Sequence, residues 1–339
     1  MATVAQAAGV SGATVDRVLN RRGGVKSATA ARVLAAAVAI GYLTDEERHA
    51  IARPRPPKIA FLIPAGTNPY LTDLGRRVRR LAAEETVGAR LRCAFIESFR
   101  PEPLVAALRH HARWADAIAF MAIENPLVRD AVDELAAAGK TIVTIVSDVV
   151  APGRAAYVGL DNVAAGRTAG YLMGRFHRSA RGAVGVIAGS LSYRAHAERE
   201  MGFHSVLQEM FGHLTVIGAA REGHDDRDRN YAQTRAILDQ VPGLTGLYNV
   251  GGASDGVARA LQDCGRARDV ILIGHGMTPD TRALLMEGTI DAVLNANPEH
   301  LVTRVLAAVD AARSGRRIAT LAPLPMDIVL RENLPPATS

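Results

Sequence analysis

Val4-Ala5-Gln6-Ala7-Ala8-Gly9-Val10-Ser11-Gly12-Ala13-Thr14-Val15-Asp16-Arg17-Val18-Leu19-Asn20 reads as two short helices joined by a tight turn, with a third helical stretch running on to Gly41-Tyr42. Val4 and Ala8 lie four residues apart on one helix face. Gly9 can take the positive φ that lets the chain leave that helix, and Val10 drops into the angle between the helices. Ser11 is suited to cap the second helix, its hydroxyl accepting from the orphan amide of Thr14 or its neighbour. Val15, Val18 and Leu19 follow at helical spacing and face inward, which leaves Gly12, Ala13, Asp16, Arg17 and Asn20 outside. A second helix that presents its N-terminal residues outward is how helix-turn-helix units reach base edges in a major groove. An ordinary surface αα-hairpin would share the same spacing.

The match extends over some forty residues, and on these the chain resembles the lactose-repressor (LacI) family of bacterial transcription regulators. Ala5, Ala8-Gly9-Val10-Ser11, Thr14-Val15, Arg17-Val18-Leu19-Asn20, Val25, Thr29, Arg32-Val33 and Gly41-Tyr42 sit where that family's head pattern has them. The resemblance implies that Gly12, Ala13 and Arg17 face base edges, while Ser11, Thr14, Asn20, Lys26, Thr29 and Tyr42 hold phosphates or sugars. Glycine and alanine offer no side-chain hydrogen bond, so Arg17 is the one strong direct reader, most naturally bidentate to guanine. Specificity elsewhere would come from apolar contact or DNA shape.

Three departures from the family pattern matter. The family's head begins a few residues earlier, so this chain starts almost inside its first helix, which implies a frayed first turn or a start further upstream. Asp16 stands where Ser is common, and a carboxylate near phosphate is costly unless Arg17 or a cytosine amine engages it. After the tyrosine, the family's Pro-Asn and Ala-Arg-x-Leu read as Thr44-Asp45 and Arg48-His49-Ala50-Ile51. The resemblance then makes Ile51 the residue that would wedge between central base pairs in the minor groove.

At 339 residues the chain has room for two or three units. Its net charge is +6, and residues 1–57 hold eight Lys and Arg against four acids, so +4 of that excess lies in one-sixth of the chain. The polyanion-binding surface is therefore expected where the motif is. Cys93 and Cys264 fall in apolar runs far apart and read as reduced core thiols. No stretch approaches a signal segment or a membrane span, which sets the expectation of a cytoplasmic protein. Arg53-Pro54-Arg55-Pro56-Pro57 reads as a stiff tether between head and body.

From Lys58 onward strands and helices alternate. Short apolar runs at 59–63, 91–96, 117–121 and 141–146 are separated by helical stretches near 70–87, 102–112 and 126–138. A second series has strands near 183–188, 214–218, 244–248, 270–274 and 290–294, with helices near 162–177, 195–210, 228–240, 253–263 and 279–287. Such alternation means parallel sheets covered on both faces, and two α/β lobes make a cleft at the carboxyl ends of their strands. The body resembles the periplasmic sugar-binding-protein fold (type I) over essentially all of 58–330. The expected division is an all-α helix-turn-helix head at 1–44, a hinge and linker at 45–57 and an effector-binding body at 58–339. Lobe 1 is expected at about 58–158 and 292–322, lobe 2 at about 159–291 and 323–335.

The resemblance places cleft residues one position at a time. Asn68-Pro69-Tyr70 follows the first strand, where the family has an Asn for sugar hydroxyls and an aromatic for the ring face; Asn68 would equally serve as a plain helix cap. Asp148 closes the fourth strand. Arg199-Glu200-Met201-Gly202-Phe203 matches an Arg-x-x-Gly-Phe whose Arg reaches the cleft, with His196 one turn before it. The far wall departs from the sugar pattern: Asn249 stands in a Tyr-Asn-Val-Gly-Gly run, His275 where Asp is common, and Asn295 in Asn-Ala-Asn-Pro where a Gln is usual. Asp161-Asn162 reads as structural.

Chemistry beyond binding finds no support in the sequence. The ten histidines form no metal-ligand spacing, Gly251-Gly252 is no phosphate loop, and no serine sits in a nucleophile elbow. The expectation is therefore a regulator, most simply a repressor, with no cofactor, no metal and no catalytic residue. It would act as a homodimer or higher oligomer on double-stranded operator DNA, under a sugar or polyol effector. A stand-alone sugar-binding protein would share the body but lack the head.

Overall fold

A computed structural model describes residues 1–20, 22, 24–52, 55–84, 88–97, 99–315 and 322–336. Arg53 and Pro54 of the expected tether lie outside the described residues. The chain divides into two compact units, Met1–Pro56 and Pro57–Ser339.

In the first unit, α1 (Ala2–Ala8), α2 (Gly12–Leu19) and α3 (Ser27–Ala39) close around Val4, Ala8, Val15, Val18, Val33, Leu34 and Ala37. Gly9 ends α1 at φ 62°, and its amide reaches back to the carbonyl of Gln6. The Ser11 hydroxyl accepts from Thr14 N at 3.3 Å and so caps α2. Within the expected hinge and linker at 45–57, residues Asp45–Ala52 form a helix, α4. Its start is a reciprocal cap. Thr44 Oγ1 accepts from Glu47 N at 3.1 Å, while Glu47 carboxylate accepts from Thr44 N at 2.8 Å. Asp45, Glu46 and Glu47 then stand at the positive end of the helix dipole. The Thr-x-x-Glu spacing at 44–47 was the available signal.

The second unit holds two sheets. Strands β1 (Lys58–Pro64), β2 (Arg90–Ile96), β3 (Ala117–Phe120), β4 (Thr141–Ile145) and β5 (Arg154–Val158) run parallel in the order β2-β1-β3-β4-β5. Ile59 to Ile63 are all buried because helices cover both faces, so an uninterrupted apolar run is what this strand requires. The covering helices are α5 (Pro69–Ala82), α6 (Pro101–Ala112) and α7 (Pro126–Ala137).

The second sheet is built from β6 (Gly182–Ala188), β7 (Leu214–Val216), β8 (Arg221–Glu222), β9 (Leu244–Asn249), β10 (Ile271–His275), β11 (Ala292–Asn295) and β12 (Asp327–Val329). Its order is β12-β11-β10-β9-β6-β7, with β8 also on β6 and only β12 antiparallel. Its helices are α8 (Asn162–Phe176), α9 (Arg194–Met210), α10 (Arg227–Gln240), α11 (Ser254–Asp263) and α12 (Pro279–Glu287).

The expected assignment of 292–322 to lobe 1 is corrected at its start. Strand β11 pairs with β10 and β12 in the second sheet, and the chain crosses back only at Ala296-Asn297. Beyond that point α13 (Pro298–Arg313) returns to the first lobe, where Leu301, Val302 and Val305 join its core. The crossing segments are tied together by Leu324 N donating to Gly159 O at 2.8 Å.

Helices α8 and α9 approach closely because glycine lines their contact. A Cβ on Gly166 would lie 1.9 Å from the carbonyl oxygen of Arg199, and one on Gly202 would lie 2.2 Å from that of Val163. This contact sets where α9 can sit, and α9 carries two of the expected cleft residues.

Candidate DNA-reading face and interlobe cavity

In the head, Ser11, Gly12, Ala13, Arg17 and Asn20 are exposed along α2, with Thr14 half-buried beside them. Lys26 precedes α3 and is exposed, Thr29 is half-buried in its first turn, and Tyr42 keeps 46% of its surface open. Among the described residues, no ion pair holds Arg17. Asp16 is answered by a partner the sequence reading did not name: its carboxylate accepts from Arg22 Nη1 at 2.9 Å and Asn20 Nδ2 at 2.7 Å. That neutralises the one acid on the reading helix. Ile51 packs half-buried against the head's apolar cluster, so on α4 it does not project as a wedge.

In the body, a cavity of about 60 Å³ lies between the lobes. From the first lobe come Asn68 and Tyr70, at the start of α5. Asn68 fills both roles left open by the sequence. Its Oδ1 caps α5 by accepting from Tyr70 N at 3.0 Å, and its Nδ2 donates across the cleft to Asp225 Oδ2 at 3.0 Å. Further bonds join the lobes: Thr67 Oγ1 donates to Asp225 O at 3.1 Å, Glu124 N to Ser192 O at 2.9 Å and Ala195 N to Ser147 Oγ at 3.4 Å.

The second lobe supplies His196 and Arg199 from α9, Asp225 from the turn before α10, and His275 from the end of β10. Arg199 is only 7% exposed. Its Nε donates to Asn162 Oδ1 at 2.9 Å and its Nη1 to Val250 O at 2.7 Å. Asn162 in turn donates to the Tyr157 hydroxyl at 3.0 Å, so the Asp161-Asn162 pair, with Asp161 capping α8, is the support beneath the arginine. The His275 Nε2 lies 2.7 Å from the Tyr248 hydroxyl.

Burial pushes the Tyr70 phenol up, against the Arg199 charge that favours its anion. Burial pulls His275 well below the usual histidine range, and Arg199 adds to the effect. His196 is also lowered, by burial first, with the Asp225 carboxylate opposing and Arg199 assisting. Both imidazoles are therefore neutral near pH 7.

Three expected cleft residues are not brought to the cavity. Asp148 turns to the sheet edge, where Thr144 Oγ1 donates to it at 2.5 Å and Arg154 pairs with it at 2.7 Å. Asn249 donates to Gly252 O and Ser254 Oγ, both at 2.9 Å, and so shapes the turn into α11. Asn295 Oδ1 accepts from Met277 N at 2.9 Å and holds the segment after β10.

The sequence reading missed Asp225, and the acids Asp255 and Asp280 at the starts of α11 and α12. Asp225 is 6% exposed and accepts from Gly252 N at 2.8 Å as well as from Asn68. Its aim comes from two consecutive left-handed residues, His224 at φ 54° and Asp225 at φ 52°. No local pattern announces that turn.

Two α/β lobes closing on a polar cavity, in a chain that also carries a helix-turn-helix unit, define a ligand-binding body with a DNA-reading head. The model of the periplasmic binding protein domain matches residues 59–317, and that of the bacterial regulatory proteins of the lacI family matches residues 1–45. The chain belongs to the periplasmic binding protein domain family through its body, and its head is a helix-turn-helix domain of the lacI family of bacterial regulatory proteins.

The ribose import binding protein of Salmonella typhimurium is 23% identical over 178 residues, 52% of this chain and 58% of that protein. The ribose operon repressor of Bacillus subtilis is 41% identical over 73 residues, 22% of each chain. The chain thus spans little more than half of the first relative and about a fifth of the second. Among solved structures, a glucose-galactose binding protein from Geobacillus stearothermophilus superposes with a TM-score of 0.75 at 21% identity, covering 83% of this chain and all of that one. That likeness shows the fold.

Proposed function

We propose that the chain is a sequence-specific DNA-binding regulator, a repressor, whose grip on an operator is set by a small polyhydroxylated effector held between its lobes. The observation that carries this reading is the presence, in one chain, of an exposed reading helix with a free Arg17 and a cavity walled by polar groups from both lobes. Arg17 is the direct base reader, with Ser11, Gly12, Ala13, Thr14, Asn20, Lys26, Thr29 and Tyr42 placing the head on the duplex. Ile51 would enter the minor groove only after leaving the head's cluster.

The effector residues are Asn68, Tyr70, His196, Arg199 and His275 together with Asp225. The protein acts as a homodimer on two half-sites, in the cytoplasm, and binds rather than transforms its ligand. No helix among the described residues is long and apolar enough to cross a membrane. An effector shifts operator affinity only by its differential affinity for the closed lobes. Footprinting on the intergenic DNA beside the gene, with and without a panel of sugars and polyols, tests the reading. A protected, roughly palindromic site whose occupancy one compound changes is expected. No preference for any fragment over bulk competitor, whatever is added, would overturn it.

A further inference from the structure

The guanidinium of Arg199 is a buried cation that forms no ion pair among the described residues. Its two hydrogen bonds go to uncharged acceptors, the Asn162 amide and the Val250 carbonyl. Among the described residues, no carboxylate lies within 4.0 Å of it. Nη2 makes no hydrogen bond among the described residues, although it belongs to a residue that lines the cavity.

The carboxylates in the wall do not pair with the guanidinium, and of them Asp255 keeps one buried oxygen, Oδ1, without a hydrogen-bond partner among the described residues. Asp225 is held by Gly252 N and Asn68 Nδ2, and Asp255 and Asp280 share Arg227 at 2.8 and 2.6 Å. The position facing this region where a carboxylate is common reads His275, whose ring is tied to Tyr248. A charge taken out of water needs a partner, and a guanidinium fork fits a planar carboxylate best.

Resting on the proposed effector site, we propose that the effector is an acid sugar, an aldonate or uronate, whose carboxylate pairs with Arg199 between Tyr70 and His275. Asn68 and the lining acids Asp225, Asp255 and Asp280 then meet hydroxyls rather than a second charge. Arg199 is the largest charge acting on Tyr70 and on His275.

Calorimetric titration of the full chain with matched pairs, D-gluconate against D-glucose and D-ribonate against D-ribose, with D-glucose 6-phosphate as a third arm, tests this. One acid is expected to bind roughly 10- to 100-fold more tightly than its neutral parent, the range of a charge-assisted hydrogen bond. Equal affinities, or tighter binding of the neutral sugar, overturn the proposal, as does binding of the phosphate ester alone. His275→Asp, which returns a carboxylate to the site, should erase or invert the preference. If it leaves a strong acid preference unchanged, Arg199 is not the anchor. Operator binding is read separately: a neutral sugar that releases DNA sinks the acid proposal and leaves the regulator standing, whereas an acid that binds without touching operator affinity does the reverse.

Discussion

The reading face of the head and the cavity of the body are both polar sites on apolar scaffolds, yet they are made in opposite ways. The head's face is a single helix: five residues from Ser11 to Asn20 are exposed along α2, with their chemistry set by i, i+3 and i+4 spacing. The cavity draws Asn68, Arg199, Asp225 and His275 from segments up to two hundred residues apart and buries three of these four almost completely. An exposed local site tolerates small errors of backbone position. A buried assembled one does not, because each group's partner arrives on another element.

The largest expected effect separates the two directly. Gly166→Ala would set a Cβ against the carbonyl of Arg199, and backbone on both sides leaves little room to yield. We expect the body to lose ~3 kcal/mol, measured by denaturant unfolding, and cavity ligands to bind more weakly because α9 is displaced. Head amides should retain wild-type hydrogen-exchange protection. Loss of that protection as well would mean that the two units unfold together.

The same contrast explains what the sequence disclosed. The head's turn, its Ser11 cap and its inward Val15 and Val18 were legible because each depends on neighbours within four residues. The body's alternation was legible because a doubly covered strand such as 59–63 must be apolar throughout. What escaped was pairing at a distance. Strand β11 has the same look whichever sheet it joins, so its lobe could not be read. Asp148, Asn249 and Asn295 sit at strand ends as ligand residues do, but Arg154, Ser254 and Met277 N claim them. Asp225 was invisible for the opposite reason: it sits in a polar turn with no motif, and only a left-handed backbone carries it inward. In the head, the Thr44 and Glu47 cap that starts α4 was present in the sequence, but the segment was read only as a hinge and its helix went unstated.

A middle-sized effect probes the head alone. Arg17→Ala removes the one cation of α2, which pairs with no acid among the described residues, whereas Arg22 beyond the helix is engaged by Asp16. It should cost ~1–3 kcal/mol of discrimination between operator and random duplex, read by competition anisotropy. Ligand affinity in the cavity should not change. Equal weakening on both duplexes would make Arg17 a phosphate contact and shift the reading to DNA shape.

The smallest effect belongs to the cavity and comes from pH. His196 and His275 are held below the ordinary histidine range, mainly by burial, with Arg199 pushing both the same way. In the unfolded chain both titrate near 6.5. Below that pH the unfolded state therefore binds protons that the folded state refuses, so this contribution to stability is whole above about 6.5 and declines as pH falls. The loss should be about 1 kcal/mol per histidine for each pH unit below 6.5. Urea unfolding of the body at pH 7.5 and 5.5 measures it, and His275→Gln should flatten the dependence by its own share. Asp255 and Asp291, raised by burial, act oppositely, because there the folded state binds protons that the unfolded chain releases. The head holds no buried histidine among its described side chains and should keep its stability over the same interval. If acid weakened both units alike, the cause would be the chain's overall positive charge rather than two imidazoles beside a buried guanidinium.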